Sequence, residues 1–473
     1  MRGRNECGGR VLVLDDDPSI LRLLSRYLSS PAVDLVICQE IEAAEYLIHR
    51  ELFDVLVTDL EVSDLGGLEG MRLVRHVAAH FPDTRVVVFS GKLDDGVRRL
   101  GSALGAHEVL AKPKDLSRLR EFVLGHLGAP TGSGESPPGQ VSRVETIDEV
   151  LERRCISAVL QPIMALAPNG PEPKPFAVEG LARGPEDSPL RNPEVLLGYA
   201  SKKDRLVEVE LLCVEAVLRE ARQVEGVGKL FLNTHPRTVS SPQFATAMME
   251  LIKHYGFRKE NIVLELTEQQ SILNSQGLNS VLRDLREQGF GFALDDYGSG
   301  FANLHLVQDL ELDYIKIDGF FCRELHLDMR KQAIVRSTVE MAQQLGVHTI
   351  LERVETPDEF EVARQLGLDY LQGYYFSAPV PGSELTDLFA GETWQPAISK
   401  PPPQPAATPA DLPDSPAAAS AHHELSNALT AAVLFASEGC RRLKPDDPLY
   451  EDLRQIRGAC EQAITLMDEI RQS

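Results

Sequence analysis

Between residues 229 and 376 short apolar runs recur, each closing on a polar or acidic residue: KLFLN, NIVLELTE, FGFALDD, YIKID, HTILERVE and YLQGYYF. Most are rich in β-branched, Leu or aromatic residues and are separated by a stretch long enough for a helix, the alternation of repeated βα units. Such units close into a barrel whose chemistry sits at the carboxyl ends of the strands. Those ends carry Asn233, Glu265, Glu268, Asp295, Asp296, Lys316, Asp318, Glu352, Glu355 and Gln372, and an earlier run, FAVEGLARG, adds Glu179 and Arg183. Carboxylates gathered on one rim repel one another unless cations hold them, so the pattern implies bound divalent metal.

The same alternation opens the chain. RVLVL runs into Asp15, Asp16 and Asp17, DVLVTD ends at Asp59, RVVVFS ends at Ser90, and EVLAKP carries Lys112. A buried strand followed by an acidic pair and Pro18 starts a helix at the carboxyl edge of a sheet, where open α/β folds bind ligands. Three acidic residues there would hold one Mg²⁺, with a lysine and a hydroxyl placed for a phosphoryl oxygen.

Composition divides the chain. Residues 128–142 are rich in Gly, Pro and Ser and read as a linker; residues 393–420 read as a Pro/Ala-rich spacer. Three folded pieces are expected, residues 10–127, 143–392 and 421–473. The last reads as two helices around the turn LKPDDP, with Leu425, Ala428, Leu429, Ala432 and Phe435 on one stripe and Leu453, Ile456, Cys460, Ile464, Met467 and Ile470 on the other. So short a hairpin buries no core alone and is expected to pair with a second copy. The predicted fold class is α/β, a flavodoxin-like sheet followed by a TIM-like barrel, with a C-terminal α-helical hairpin.

Bulk properties narrow the function. A formal charge of -23 argues against a general nucleic-acid binder, which needs a basic face, but leaves room for a phosphate substrate held through metal. Seven scattered cysteines form no CxxC pair, which fits a reducing cytoplasm. No apolar run reaches the length of a membrane span, and the N-terminus lacks a hydrophobic signal core.

At Asp15, Asp16, Asp59, Ser90 and Lys112 the first piece resembles the response-regulator receiver domain. The resemblance implies that Asp59 is the phosphoacceptor, that Asp15 and Asp16 join it in holding one Mg²⁺, that Ser90 is the switch hydroxyl and that Lys112 contacts the phosphoryl group. It also implies a cognate sensor histidine kinase as partner. Val62-Ser63 stands where the family has Met-Pro, and Val109 where it has an aromatic, changes that bear on output coupling more than on acceptor chemistry.

With FAVEGLARG, NTH, LELTEQ, ALDDYGSGFANL, YIKID, LERVET and LQGYYF in order, the second piece resembles the EAL-type cyclic di-GMP phosphodiesterase domain. The resemblance implies hydrolysis of cyclic di-GMP to linear pGpG with two Mg²⁺ or Mn²⁺ ions. Glu179, Asn233, Glu265 and Asp295 would surround one ion; Asp295, Asp296 and Glu352 the other. Lys316 would orient the attacking water, and Glu352 is assigned either metal-binding or base duties. Lys316 and Asp318, two residues apart on one strand, are expected to point the same way into the mouth. Arg183, Asp318 and Gln372 would contact substrate, and Glu268 and Glu355 would anchor a rim loop. Two departures stand out: EGL replaces Glu-Ala-Leu, and Arg353 replaces the usual Gly after Glu352. A positive φ there would cost a non-glycine residue on the order of 1 kcal/mol.

The third piece, at HHELSNALTA, resembles the H-box of the histidine-kinase dimerisation and phosphotransfer domain, with His423 at the phosphorylated position. With no ATP-binding domain after Ser473, the hairpin is not expected to phosphorylate itself. The combined expectation is a cytoplasmic, homodimeric two-component response regulator whose output is cyclic di-GMP hydrolysis. Two alternatives stand beside it: a cyclic di-GMP sensor disabled by Arg353, and a phosphorelay scaffold in which Asp59 and His423 exchange a phosphoryl group.

Overall fold

The computed structural model describes residues 9–60, 69–91, 93–127, 140–166, 172–267, 275–298, 307 and 310–390. Glu268, His423 and the expected C-terminal hairpin lie outside the described residues. Among those described, no helix is long and apolar enough to cross a membrane.

The first sheet is parallel throughout, with strands β1 (Gly9–Leu14), β2 (Val33–Cys38), β3 (Val55–Thr58), β4 (Arg85–Ser90), β5 (Glu108–Ala111) and β6 (Val141–Arg143) in the order β5-β4-β3-β1-β2-β6. Continuous apolar runs suit strands covered on both faces. Val11 and Val13 pack with Leu21, Leu24, Leu119 and Val123 on one side, while Leu12 and Leu14 pack with Ala44, Leu47, Val74 and Val77 on the other. The helix Pro18–Leu28 starts where it does because Asp17 caps it, its carboxylate accepting the Ser19 amide, with Pro18 in the first turn.

Strand β6 comes from the end of the stretch read from composition as a linker. Leu35 N donates to Gln140 O at 2.8 Å and Val144 N to Ile37 O at 2.8 Å, so this segment extends the sheet as a sixth strand. A second contact joins the sheet to the barrel. The helix Ile41–Arg50 lies against the helix Pro193–Lys202, where the Tyr46 hydroxyl donates to Glu194 O at 3.0 Å. A Cβ on Gly198 would fall 2.1 Å from the Tyr46 ring, so only glycine admits that ring. Lys202 pairs with Glu45 at 3.0 Å and Lys203 with Glu40 at 3.3 Å.

The barrel is closed by eight strands: β7 (Ser157–Ala165), β8 (Lys174–Arg183), β9 (Lys229–Asn233), β10 (Ile262–Thr267), β11 (Gly291–Tyr297), β12 (Tyr314–Ile317), β13 (His348–Leu351) and β14 (Tyr370–Leu371), with β14 meeting β7. The six runs that open the sequence reading are β9 to β14. Uniform βα repetition does not extend to β7, which is antiparallel to both β8 and β14. Residues 166–173 are too few for the crossover of a dozen or more residues that parallel neighbours require, so β7 and β8 form a hairpin.

Candidate functional site

The barrel interior is built in two layers by the period of two along a strand. Ile163, Ala177, Phe231, Val263, Ala293, Tyr314 and Ile350 form a buried apolar floor, with Phe176 and Tyr370 against it. Two positions further toward the mouth, each strand carries a polar group: Gln161, Glu179, Asn233, Glu265, Asp295, Lys316, Glu352 and Gln372. On β7 the step runs backwards, from Ile163 to Gln161, because that strand is antiparallel.

Lys316 is the hub of this layer. It is 1% exposed, and its Nζ lies 3.3 Å from Glu179, 2.8 Å from Glu265, 2.9 Å from Asp295 and 2.8 Å from Glu352. Burial works against its charge, but Asp295, Glu179, Glu265 and Glu352 outweigh burial and hold the ammonium well above its ordinary value. One lysine does not satisfy four carboxylates. Burial first, then the Glu179 and Asp295 charges, push Glu265 well above the usual carboxylate range. Burial, with Asp295 and Glu179, pushes Glu352 up to about 8 against the pull of Lys316. Glu179 goes the other way: burial is overcome by Lys316 and by hydrogen bonds from Gln372 and Asn233.

Backbone reversals complete the rim. Asp296 and Arg353, each directly after a rim carboxylate, adopt positive φ of 54°. The β11–β12 register shifts between Leu294 and Tyr297. In a regular strand Asp295 and Asp296 would face opposite sides; with this irregularity their carboxylates and that of Glu352 offer oxygens within 4.8 Å of one another. Burial and the Asp295 and Asp318 charges push Asp296 up to about 6.

Other expected residues take different places. Asp318 lies one residue past β12, its amide still donating to Tyr297 O at 3.2 Å, and caps the following turn by accepting the Phe320 amide at 2.7 Å, while its charge reaches Asp296 on the rim. Gln372 is buried, its Nε2 donating to Glu179 at 2.7 Å and to Gln161 at 3.1 Å, so it orients a rim carboxylate. Asn233 does likewise, donating to Glu179 at 3.0 Å. Arg183 is part-buried at the end of β8, where it donates to Ala182 O. Glu355 is exposed, and beside it the buried Glu359 accepts the amides of Glu324, Glu355 and Thr356 at 3.0–3.1 Å. The sequence signal for Glu359 was the capping box Thr356-x-x-Glu359. Gln161 had no comparable signal, because β7 was not recognised as a strand. Glu210, on the helix Leu206–Ala221, also went unread; it is buried and accepts the His235 amide at 2.6 Å, two residues beyond Asn233.

In the first sheet, Lys112 Nζ bonds to both Asp15 and Asp59 at the carboxyl edge. Asp15, Asp16 and Asp59 offer oxygens within 4.8 Å of one another, and Ser90 lies buried at the end of β4. Burial pushes Asp15 up to about 6, against hydrogen bonding and charge from Lys112.

Both clusters fit divalent cations. Each holds more negative charge than its lysine balances, and Glu265 Oε2 is buried with no hydrogen-bond partner among the described residues. All-oxygen donors of this kind select Mg²⁺ or Mn²⁺.

Comparison with known proteins finds two families along the chain. Residues 144–379 match the model of the EAL domain, and residues 11–124 that of the response regulator receiver domain. The chain is 26% identical over 400 residues to cyclic di-GMP phosphodiesterase RocR of Pseudomonas aeruginosa, spanning 80% of this chain and 98% of that protein. Two Escherichia coli proteins, the probable cyclic di-GMP phosphodiesterases PdeA and PdeG, are each 29% identical over 51% of this chain. The chain spans 33% of the first and 49% of the second, so a third to a half of their length. A solved manganese and cyclic di-GMP complex of Klebsiella pneumoniae BlrP1 is 27% identical over 48% of this chain and 56% of that one, with a TM-score of 0.43.

Proposed function

We propose that this chain, which joins a response regulator receiver domain to an EAL domain, hydrolyses cyclic di-GMP to linear pGpG under control of phosphorylation at Asp59. The observation that carries the reading is Lys316, buried among Glu179, Glu265, Asp295 and Glu352 directly above an apolar floor. The names of RocR and PdeA as phosphodiesterases support it.

Glu179, Asn233, Glu265 and Asp295 would hold one divalent cation, and Asp295, Asp296 and Glu352 a second. Bound there, the cations neutralise the phosphodiester and make water nucleophilic at neutral pH. The chain's own groups do the positioning. Lys316, kept charged by its four partners, would turn one of its three donors from a carboxylate toward the attacking oxygen. Glu352, beside Lys316 and the Asp295–Asp296 pair, would serve either as a ligand of the second cation or as the base that takes a proton. Gln372 and Asn233 fix Glu179 in one orientation, so little reorganisation is left for the reaction itself. Arg183 and Asp318 are proposed contacts for the substrate.

In the receiver, Asp59 would accept a phosphoryl group from a sensor histidine kinase, with Mg²⁺ on Asp15, Asp16 and Asp59. The added charge competes for Lys112, which now bridges Asp15 and Asp59. Any rearrangement would reach the barrel through strand β6 and the helix Ile41–Arg50.

Turnover of cyclic di-GMP by the purified chain with Mg²⁺ or Mn²⁺, before and after acetyl phosphate, tests the reading. Loss of activity in Asp295→Ala and Lys316→Ala is expected; full activity in either sinks the mechanism. One observation favours a second reading: Arg353 occupies a left-handed backbone position directly after Glu352. Cyclic di-GMP binding without turnover, together with turnover in Arg353→Gly, would make the wild-type chain a sensor.

A further inference from the structure

Away from both carboxylate clusters, three histidines meet on the receiver surface. His49 lies near the end of the helix Ile41–Arg50; His76 and His80 lie one turn apart on the helix Glu69–His80. His49 Nε2 and His76 Nε2 are 3.0 Å apart. The His49 and His76 rings are 4.9 Å apart, those of His76 and His80 4.4 Å, and Phe81 sets its edge against His49 at 5.4 Å.

Tautomers follow from the outer bonds. His49 Nδ1 lies 2.6 Å from Glu45 O, and His80 Nδ1 lies 2.9 Å from His76 O. A backbone carbonyl only accepts, so each Nδ1 carries the proton and each Nε2 is left with a lone pair. For His49 this is the outer support that ligating histidines use, the far nitrogen donating to a carbonyl to fix the ring. His76 is held below its ordinary value by burial and by the neighbouring His49 and His80, with Lys202 adding to the effect and Glu45 opposing it. It therefore stays neutral and able to ligate near neutral pH.

We propose that His49, His76 and His80 form a site for a borderline divalent cation such as Zn²⁺ or Ni²⁺. Two imidazole nitrogens on one tetrahedral ion, at roughly 2.0–2.1 Å each, stand about 3.3 Å apart, close to the present spacing. His80, four residues after His76 on one helix face, would supply a third nitrogen only by giving up its bond to His76 O and turning its ring; the spacing is the one that pairs zinc ligands on a helix. Nitrogen donors separate this site from the oxygen-rich clusters that take Mg²⁺. In the absence of an ion, His76 donates its Nε2 proton to His49, so cation and proton compete for one position. The ion would clasp the two helices, and the first of them carries Glu45 and Tyr46 to the barrel. Loading would thus stiffen the surface through which receiver and barrel meet.

The experiment is a calorimetric Zn²⁺ titration of the full chain, freed of any affinity histidines and saturated with Mg²⁺ to mask the carboxylate sites. One Zn²⁺ equivalent more than in the His49→Ala/His76→Ala double variant is expected, since Zn²⁺ also competes for the carboxylate clusters. His49→Ala and His76→Ala each weaken it by about tenfold or more, and His80→Ala weakens it less. Co²⁺ should give visible absorption that the same variants lose. These rings are exposed or half-buried, so the variants are expected to fold, to be checked by circular dichroism. Equal Zn²⁺ binding by the wild type and the His49→Ala/His76→Ala double variant, or no binding by the wild type, overturns the proposal. Because neither catalysis nor Asp59 enters the readout, failure here is distinct from failure of the phosphodiesterase reading.

Discussion

The side chain of Arg353 lies over Gly319, so closely that a Cβ on the glycine would fall 2.3 Å from Arg353 Cδ. Arg353 follows Glu352 and Gly319 follows Asp318, so this contact joins two neighbouring loops of the rim. It sets the exposed arginine, at φ 54°, against the neighbouring loop.

Gly319→Ala should therefore destabilise the chain by about 1–3 kcal/mol, the usual cost of overpacking. Arg353→Gly should change stability by less than about 1 kcal/mol, since relief of left-handed strain is balanced by glycine entropy. The double variant should recover most of the Gly319→Ala loss. Urea denaturation of the four proteins measures the coupling; additive effects would show that the contact carries no energy.

Lys316→Met should abolish turnover and leave four rim carboxylates without their shared cation. Removing one partner of a buried ion pair costs about 3–5 kcal/mol, part of it recovered here as the carboxylates take up protons. Thermal denaturation should show a larger fall in Tm at pH 8 than at pH 6. A Tm unchanged at both would contradict the geometry of this layer.

The pH dependence of the metal-free chain has a definite sign. Glu352 at about 8 and Asp296 and Asp15 at about 6 all lie above their unfolded values. The folded state then binds more protons, so their contribution is fully present below about pH 4 and is lost as pH rises toward 6 and then 8. In EDTA, Tm should decline from pH 5 to pH 8.5. Added Mn²⁺ should stabilise more at the upper end, because the ligands must lose protons to bind it. A metal-free Tm that rises over that range would contradict these shifts.

Asp59→Asn should remove labelling by a small phosphodonor such as acetyl phosphate, while keeping the fold. Lys112→Ala should slow labelling but leave Asp59 as the modified residue. Mass spectrometry of a proteolytic digest locates the phosphoryl group; labelling at another carboxylate would refute the assignment.

Glu210 accepts the His235 amide at 2.6 Å from inside the barrel's helical layer, and burial pushes it up to about 7. Glu210→Ala would leave that amide without its acceptor, a loss of about 1–3 kcal/mol. Glu210→Gln keeps an acceptor and should retain most of the stability. Because Asn233 is two residues away, Mn²⁺ affinity should weaken in the alanine variant and hold in the glutamine one. Identical behaviour of the two would assign Glu210 to packing alone.

Much of this was legible from local pattern. The runs from KLFLN to YLQGYYF alternate with helical stretches, so the strands β9 to β14 and the acidic groups closing them could be read in order. The receiver cluster was as plain, since Asp15, Asp59, Ser90 and Lys112 each close or follow a run of buried β-branched residues. Both signals depend on residues near one another in sequence.

What the sequence withheld depends on residues far apart. Gln161 joins the rim because β7 turns back against β8, which nothing in SAVLQPIMA declares by period. Strand β6 looked like a linker because its backbone finds a partner only at the edge strand β2. Glu359 meets the amides of Glu324, Glu355 and Thr356 only because two segments distant in sequence pack together. His49 meets His76 only because two helices pack side by side. The sequence by itself determined which residues lie at strand ends and what chemistry they bring. Tertiary structure decided which carboxylates share Lys316, since those distances are set by barrel closure and by the backbone reversals at Asp296 and Arg353.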